Sequence, residues 1–114
     1  MLATARVLAK MPLWGVKFHV LHVVKDTLLA AMHRQASLKL LSLDEYADIL
    51  VSFLELLPKS LVILRLVSDA HRDLLVAPFW VNDKEKALKG IEGEFKKRQT
   101  NQGALYESAR CART

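Results

Sequence analysis

Apolar side chains dominate residues 15–25, which also carry two histidines and two lysines. The odd and even positions of this run are both largely apolar, which is typical of a strand buried on both faces of a parallel sheet. Residues 61–67 form a second apolar run, Leu-Val-Ile-Leu-Arg-Leu-Val. We therefore predict buried strands over residues 16–24 and 61–67.

A helical pattern separates the two apolar runs. Parallel neighbours need a crossover of a dozen or more residues, usually a helix, so the β-helix-β order favours a parallel pair. Ser42 and Glu45 have the spacing of a capping box, and Pro58 marks the end of the helix. The apolar stripe repeats at steps of three and four, at Tyr46, Ile49, Leu50, Phe53, Leu54 and Leu57. The polar side is expected at Asp44, Asp48 and Glu55.

A second helix is predicted to begin with a cap at Asn82 paired with Glu85. Its apolar face would comprise Leu88, Ile91 and Phe95. Basic residues crowd this helix, and either a solvated face or a binding surface explains them: Lys84, Lys86, Lys89, Lys96, Lys97 and Arg98. Shorter helices are expected over residues 2–10 and 27–34, and a disordered tail over residues 101–114.

Composition narrows the class of protein. The 114 residues are 52% hydrophobic, which suits one small domain with its own core. No apolar stretch reaches the length of a bilayer span and no signal peptide is evident, so we expect a cytoplasmic protein without membrane contact. The single cysteine, Cys111, excludes an internal disulfide framework. A net charge of +5 is compatible with a polyanionic partner such as RNA.

Candidate chemistry lies in the strands. His19 and His22 resemble a metal-binding pair, but positions three apart on a strand point to opposite faces, so no metal site is expected. Each ring is more often a hydrogen-bonded core residue than a catalytic group. Arg65 would be costly to bury unless it pairs with Asp69 or Asp73. No glycine-rich phosphate loop or nucleophile elbow occurs.

Seven segments of the chain occur in the order and at about the spacing found in a known family: GVKFHVLHVVKDT (15–27), LSLDEY (41–46), FLELLP (53–58), VILRL (62–66), SDA (68–70), RDLLVAPFW (72–80) and RQTNQG (98–103). Together they resemble a bacterial radical S-adenosylmethionine (SAM) protein family that is related to the catalytic subunit of Elongator. The similarity covers nearly the whole chain.

The resemblance implies an α/β fold: the C-terminal fragment of a partial TIM-like (β/α) barrel, with about two parallel strands and covering helices. Late barrel units would occupy residues 1–81, and a C-terminal helical extension residues 82–100. A full barrel typically takes about 250 residues, so 114 cannot close one. The polar positions that would face the barrel interior are the candidate site residues: His19, His22, Lys25, Arg65 and Asp69. The family pattern has Gly at Asp26, Gly at Ser68 and Pro at His71, so these departures put the loop geometry in doubt.

Full-length members resemble other radical SAM enzymes in holding a [4Fe–4S] cluster on three cysteines and cleaving SAM to a 5′-deoxyadenosyl radical. Three thiolates cannot come from one cysteine, so no cluster, cofactor or catalytic residue is expected in this chain alone. Three functions remain open: a fragment that is inert by itself, a subunit that completes a split enzyme with a cluster-bearing N-terminal half, or a basic module that binds RNA, in particular transfer RNA. Open strand edges also favour self-association.

Overall fold

The computed structural model describes residues 1–36, 38–68 and 71–106. These residues form a mixed α/β structure with four α-helices and two small sheets. The elements in chain order are α1 (Leu2–Ala9), β1 (Gly15–Lys17), β2 (Val23–Val24), α2 (Leu28–Arg34), α3 (Leu43–Glu55), β3 (Val62–Arg65), β4 (Leu75–Ala77), a 3₁₀ turn (Phe79–Asn82) and α4 (Lys84–Arg98).

The predicted parallel pair is present. β1 pairs with β3 in parallel, with Gly15 opposite Val62 and Val16 opposite Ile63, and a bulge then brings Lys17 opposite Arg65. α2 and α3 lie between the two strands in the sequence, and α3 packs against the pair through Phe53, whose ring meets that of Phe18 edge to face at 5.2 Å. The β-helix-β interpretation of the sequence is therefore confirmed.

The prediction of one continuous strand over residues 16–24 is wrong. β1 ends at Lys17, and Val23–Val24 form a separate short strand, β2, that pairs antiparallel with β4. The ladder to β3 stops after Phe18, because the backbone N–H of Val20 donates to the Ser68 hydroxyl oxygen (3.0 Å), which donates in turn to the Val20 carbonyl (3.3 Å). A buried side chain thus takes the hydrogen bonds that a neighbouring strand would have supplied.

α3 matches its prediction closely. The Ser42 hydroxyl accepts from the Glu45 backbone N–H (3.1 Å), and the Glu45 carboxylate accepts from the Ser42 backbone N–H (3.0 Å). The buried residues of the helix, with Leu57 after it, form the centre of the core: Tyr46, Ala47, Leu50, Val51, Phe53, Leu54 and Leu57. Glu55 departs from the expected polar side, since it is largely covered and binds Arg98 and Thr100.

α4 begins one residue later than predicted, and two of the three residues of its predicted apolar face turn inward, since Ile91 is buried and Phe95 packs against the core. Asp83, not Asn82, caps it by accepting from the Lys86 backbone N–H (3.1 Å). Ala87 and Ile91 are buried, whereas Leu88 is 47% exposed. Gly90 lies against Leu43, where a Cβ would come within 3.3 Å of the leucine side chain, so a small residue lets α4 approach the start of α3.

Residues 101–106 do not behave as the predicted tail. The backbone N–H groups of Gly103 and Leu105 donate to the carbonyls of Leu54 and Glu55, and the Gln102 amide donates to the carbonyls of Pro58 and Leu61. These bonds satisfy carbonyls at the end of α3 and in the turn that follows, which explains why the segment folds back. The rest of the predicted tail, with Cys111, lies outside the described residues.

None of the helices in the described part of the chain is both long and apolar enough to cross a membrane.

Candidate functional site at the carboxyl ends of β1 and β3

Four of the five sequence-predicted site residues fall within the described part of the chain, at or after the ends of strands. His19 and His22 fall between β1 and β2, Lys25 follows β2, and Arg65 ends β3, while Asp69 lies outside the described residues. Polar residues at the carboxyl ends of parallel strands are the usual place for a site in α/β folds.

The structure brings His19 and His22 together, contrary to the sequence argument. Their ring centroids are 5.4 Å apart and the ring planes are tilted by 46°. The prediction of opposite faces depends on a continuous strand, and residues 18–22 are not a strand. His19 is exposed and His22 is half-buried, so neither is the core histidine that the sequence favoured.

One nitrogen of His22 is engaged by the backbone. Nδ1 lies 3.0 Å from the carbonyl oxygen of Val20. A carbonyl can only accept, so Nδ1 carries the proton and the neutral ring leaves the lone pair of Nε2 available.

Arg65 and Lys25 do not occupy the buried positions that the sequence suggested. The Arg65 side chain is exposed, contrary to the expected burial. Because water solvates its charge, the guanidinium does not require a paired carboxylate. Lys17, its partner in register across the bulge, is also exposed, so both strands of the pair end on an exposed basic residue. Lys25 is exposed as well and joins the sheet through its backbone N–H, which donates to the Leu74 carbonyl (2.8 Å).

A groove of about 200 Å³ opens beside His19, between the segment after β1 and the buried side of α3. Local sequence patterns do not predict it, since its far wall comes from the irregular residues 39–41. Tyr46 lies in its lining and donates its hydroxyl to the Leu66 carbonyl (2.6 Å), and burial raises the pKa of Tyr46 to about 12. The lining is mostly apolar: Met1, Phe18, His19, Val20, Leu21, Lys39, Leu40, Leu41, Tyr46, Ile49, Leu50 and Phe53.

One face of the β1–β3 sheet is uncovered. Val62 and Leu64 alternate on this face and are 47% and 51% exposed, and Gly15 lies beside Leu64, where a Cβ would sit 3.5 Å from its side chain. Ile63, on the other face, packs against the core. Trp14, just before β1, is 72% exposed. Parallel sheets are normally covered on both faces, so this exposed apolar face departs from the usual arrangement.

The positive charge on the surface of α4 is smaller than the number of its lysines and arginines suggests. Lys89 pairs with Glu85 (3.0 Å) and Lys96 with Glu92 (3.1 Å), each one turn apart along the helix. Arg98 turns inward to carboxylates on α3 and α4. At least three of the six basic residues are thus matched by acidic ones, which favours the solvated-face interpretation.

Residues 13–97 match the model of the Radical_SAM C-terminal domain. The chain belongs to this family. It is similar to two curated proteins, the uncharacterized protein YtqA of Bacillus subtilis (29% identical over 94% of this chain) and the uncharacterized protein MJ0486 of Methanocaldococcus jannaschii (32% identical over 93%). In both cases the chain spans 33% of the length of the relative. No solved structure matches the chain.

Full-length radical SAM proteins use a [4Fe–4S] cluster and SAM, and the residues of this chain do not fit the cluster. Three thiolates must hold it, and the sequence contains one cysteine. Within residues 1–36, 38–68 and 71–106, no group of three or more histidine, cysteine, aspartate or glutamate side chains could hold a metal ion. Chemistry that depends on the cluster therefore has no ligand set here.

Proposed function

We propose that this radical SAM C-terminal domain forms the last part of a TIM-like barrel and docks onto a cluster-bearing region, without performing radical chemistry alone. The uncovered face and free edge of the β1–β3 sheet are the observation that carries the proposal. The cluster-bearing region would lie on the same polypeptide or on a separate one.

The docking surface is defined by backbone and side chains together. Within the described residues, β1 has β3 as its sole partner, so one row of its backbone donors and acceptors is open to a further strand. Val62 and Leu64, on the neighbouring strand β3, add exposed apolar side chains on the uncovered face. Parallel sheets are normally covered on both faces, so a further part of a barrel is the occupant that this surface fits.

The lengths of the relatives support the same occupant. The chain accounts for one third of YtqA and of MJ0486, which leaves two thirds of each relative to supply the early strands and the three thiolates. In this arrangement His19, Lys17 and Arg65 stand at the carboxyl ends of the last strands, where barrel enzymes build their sites.

Binding to the remaining two thirds of YtqA tests the docking surface. We expect a complex that survives size-exclusion chromatography, and we expect Val62→Glu or Leu64→Glu to abolish it by burying a charge. Leu88→Glu is the matched control, because Leu88 is as exposed as Val62 (47%) but lies on α4. Equal binding by Val62→Glu and the unmodified chain would contradict the proposal.

Catalytic incompetence is tested separately. After anaerobic reconstitution with iron and sulfide, the chain by itself is expected to show no thiolate-to-iron charge-transfer band and to release no 5′-deoxyadenosine from SAM. Stoichiometric iron with such a band would refute this half of the proposal.

RNA binding is the competing function, supported by the net charge of +5. A band shift with transfer RNA that weakens steeply with salt would favour it. We consider it second, because Glu85 and Glu92 offset the charge of α4.

A further inference from the structure

We propose that His19 and His22 together bind one late transition-metal cation of the Zn²⁺ class, with water completing its coordination. This site does not depend on the proposed docking function, and it is distinct from the [4Fe–4S] cluster of full-length radical SAM proteins, which needs three thiolates.

The spacing of the two rings suits a shared ion. With metal–nitrogen bonds of about 2.0 Å and a tetrahedral angle, two imidazoles on one zinc have ring centroids about 5 Å apart. The observed separation is 5.4 Å. The His19 side chain is exposed, so its ring can reorient about its side-chain torsions toward a shared ion.

The second ring makes the kind of hydrogen bond that metal-binding histidines commonly make. Such histidines donate the proton of one ring nitrogen to a carbonyl or carboxylate, which fixes the tautomer and directs the other nitrogen to the ion. His22 makes this bond from Nδ1 to the Val20 carbonyl at 3.0 Å. Val20 is itself held at both backbone groups by Ser68, which is fully buried, so the support of His22 is rigid.

The rest of the coordination sphere is open. No third histidine, cysteine or carboxylate joins the pair among the described residues. Water would occupy the remaining positions, which is the arrangement of reactive rather than structural zinc sites. Two ligands give weaker binding than the three or four of those sites, so we expect dissociation constants in the micromolar range, of the order of 10⁻⁵ M.

Zinc titration of the full chain tests the pair, with Cys111→Ser as background to remove the one thiol. We expect one Zn²⁺ per chain by calorimetry, and at least tenfold weaker binding in His19→Gln and in His22→Gln. The other two histidines provide matched controls: His33→Gln and His71→Gln should change the affinity by less than about twofold.

Copper binding gives an independent readout. Cu²⁺ binds such sites more tightly, and its electron paramagnetic resonance spectrum should show two equivalent nitrogen donors in the background protein and one in either variant. Circular dichroism would verify that both variants stay folded, and the side-chain amide introduced by His22→Gln can still donate to the Val20 carbonyl. Unchanged zinc affinity in either variant, or equal loss in the His33 and His71 controls, would overturn the proposal.

Discussion

Three non-glycine residues of the described chain adopt a left-handed backbone: Asp26 at φ 60°, Ala36 at φ 57° and Gln99 at φ 52°. The family resemblance places Gly at Asp26, and the positive φ gives the physical reason for that glycine. Aspartate tolerates this region better than most residues do, because its short side chain bonds locally. The substitution of aspartate for the family's glycine therefore leaves the turn intact and lowers the stability of the protein only slightly.

Ala36 stands just after the C-cap of α2, where glycine is usual, and its side chain has no polar group to offset the strain. We predict that Ala36→Gly stabilises the protein, because it relieves about 1 kcal/mol of backbone strain. The greater freedom of glycine in the unfolded chain offsets part of this gain. Ala31→Gly, inside α2, should instead destabilise it by about 1 kcal/mol. Urea unfolding of both variants measures these changes, and destabilisation by both would contradict the assigned conformation.

Glu45 links the stability of α3 to pH. Hydrogen bonds from the backbone and then the side chain of Ser42, with the charge of Lys39, hold the pKa of Glu45 below its ordinary value of 4.5. A lowered folded-state pKa means that the carboxylate contributes stability above about pH 4.5, and that this contribution is lost as the pH falls through the folded-state value. The Glu45→Gln variant should therefore have a lower melting temperature than the unmodified protein at neutral pH. The two melting temperatures should converge in acid. A difference in melting temperature that persists unchanged in acid would contradict this.

At the scale of elements, local signals predicted α3 and the parallel strand pair, but they did not predict where the first strand ends. The Ser42 cap and the three-and-four spacing both act within a few residues, so the sequence contains all the information needed for them. β1 and β2 are separated by a contact between Val20 and Ser68, 48 positions apart, which no local pattern encodes. The same long-range contact explains why the sequence did not predict the histidine pair. His19 and His22 lie close together only because the strand between them is interrupted.

Ser42→Ala tests the cap of α3 directly. We predict a loss of about 0.5–2 kcal/mol in the free energy of unfolding, because the Glu45 backbone N–H loses its acceptor. Ser60→Ala is the control, since Ser60 is exposed in the turn before β3 and should change stability by less than about 0.5 kcal/mol. An equal effect of the two substitutions in chemical denaturation would mean that the cap does not stabilise α3.

Arg98 fastens the end of α4 to α3. Its guanidinium donates to Glu94 (2.6 Å), Glu55 (3.2 Å) and Ser52 (2.9 Å), and also to Asp48. Burial lowers the pKa of Arg98, but the hydrogen bond and charge of Glu94, with Asp48 and Glu55, outweigh it and raise the pKa above its ordinary value. The basic residue that the sequence placed on a solvated face is therefore a structural one.

We predict that Arg98→Ala destabilises the protein by about 1.5–3 kcal/mol, because Glu55 and Glu94 keep little solvent contact and lose their partner. Arg98→Lys should recover only part of this loss, since an ammonium cannot reproduce the planar fork. Lys97→Ala, next along the helix and exposed, should be nearly neutral. Thermal unfolding of the three variants shows whether Arg98 stabilises the protein through its specific hydrogen bonds or only through its positive charge.

At the scale of the whole molecule, the sheet is the incomplete part. α3, α4 and the segment 101–106 close one side of the structure, whereas Val62, Leu64 and the edge of β1 stay open. The sequence predicted open edges from the small number of strands. It could not predict which face would be covered, since both faces of residues 61–67 are apolar.

Without a cluster-bearing partner, the same edge is available to a second copy of the chain. We expect a two-fold dimer at micromolar concentration, detected by light scattering, in which β1 edges meet. Val62→Glu should shift the protein to monomer, and Leu88→Glu should not. A monomeric mass for the unmodified chain, with slow amide exchange along the free edge of β1, would contradict self-association.

The hydroxyl of Ser68 has an evolutionary consequence. By resemblance to the family a glycine belongs at this position, and serine is one nucleotide change away from some glycine codons. Once the hydroxyl has replaced strand pairing at Val20, reversion to glycine would leave the buried backbone N–H of Val20 without its acceptor. Such a substitution requires a single nucleotide change, but its reversal would destabilise the protein. The broken strand, and the histidine pair that depends on it, would then be entrenched in the descendants of this sequence.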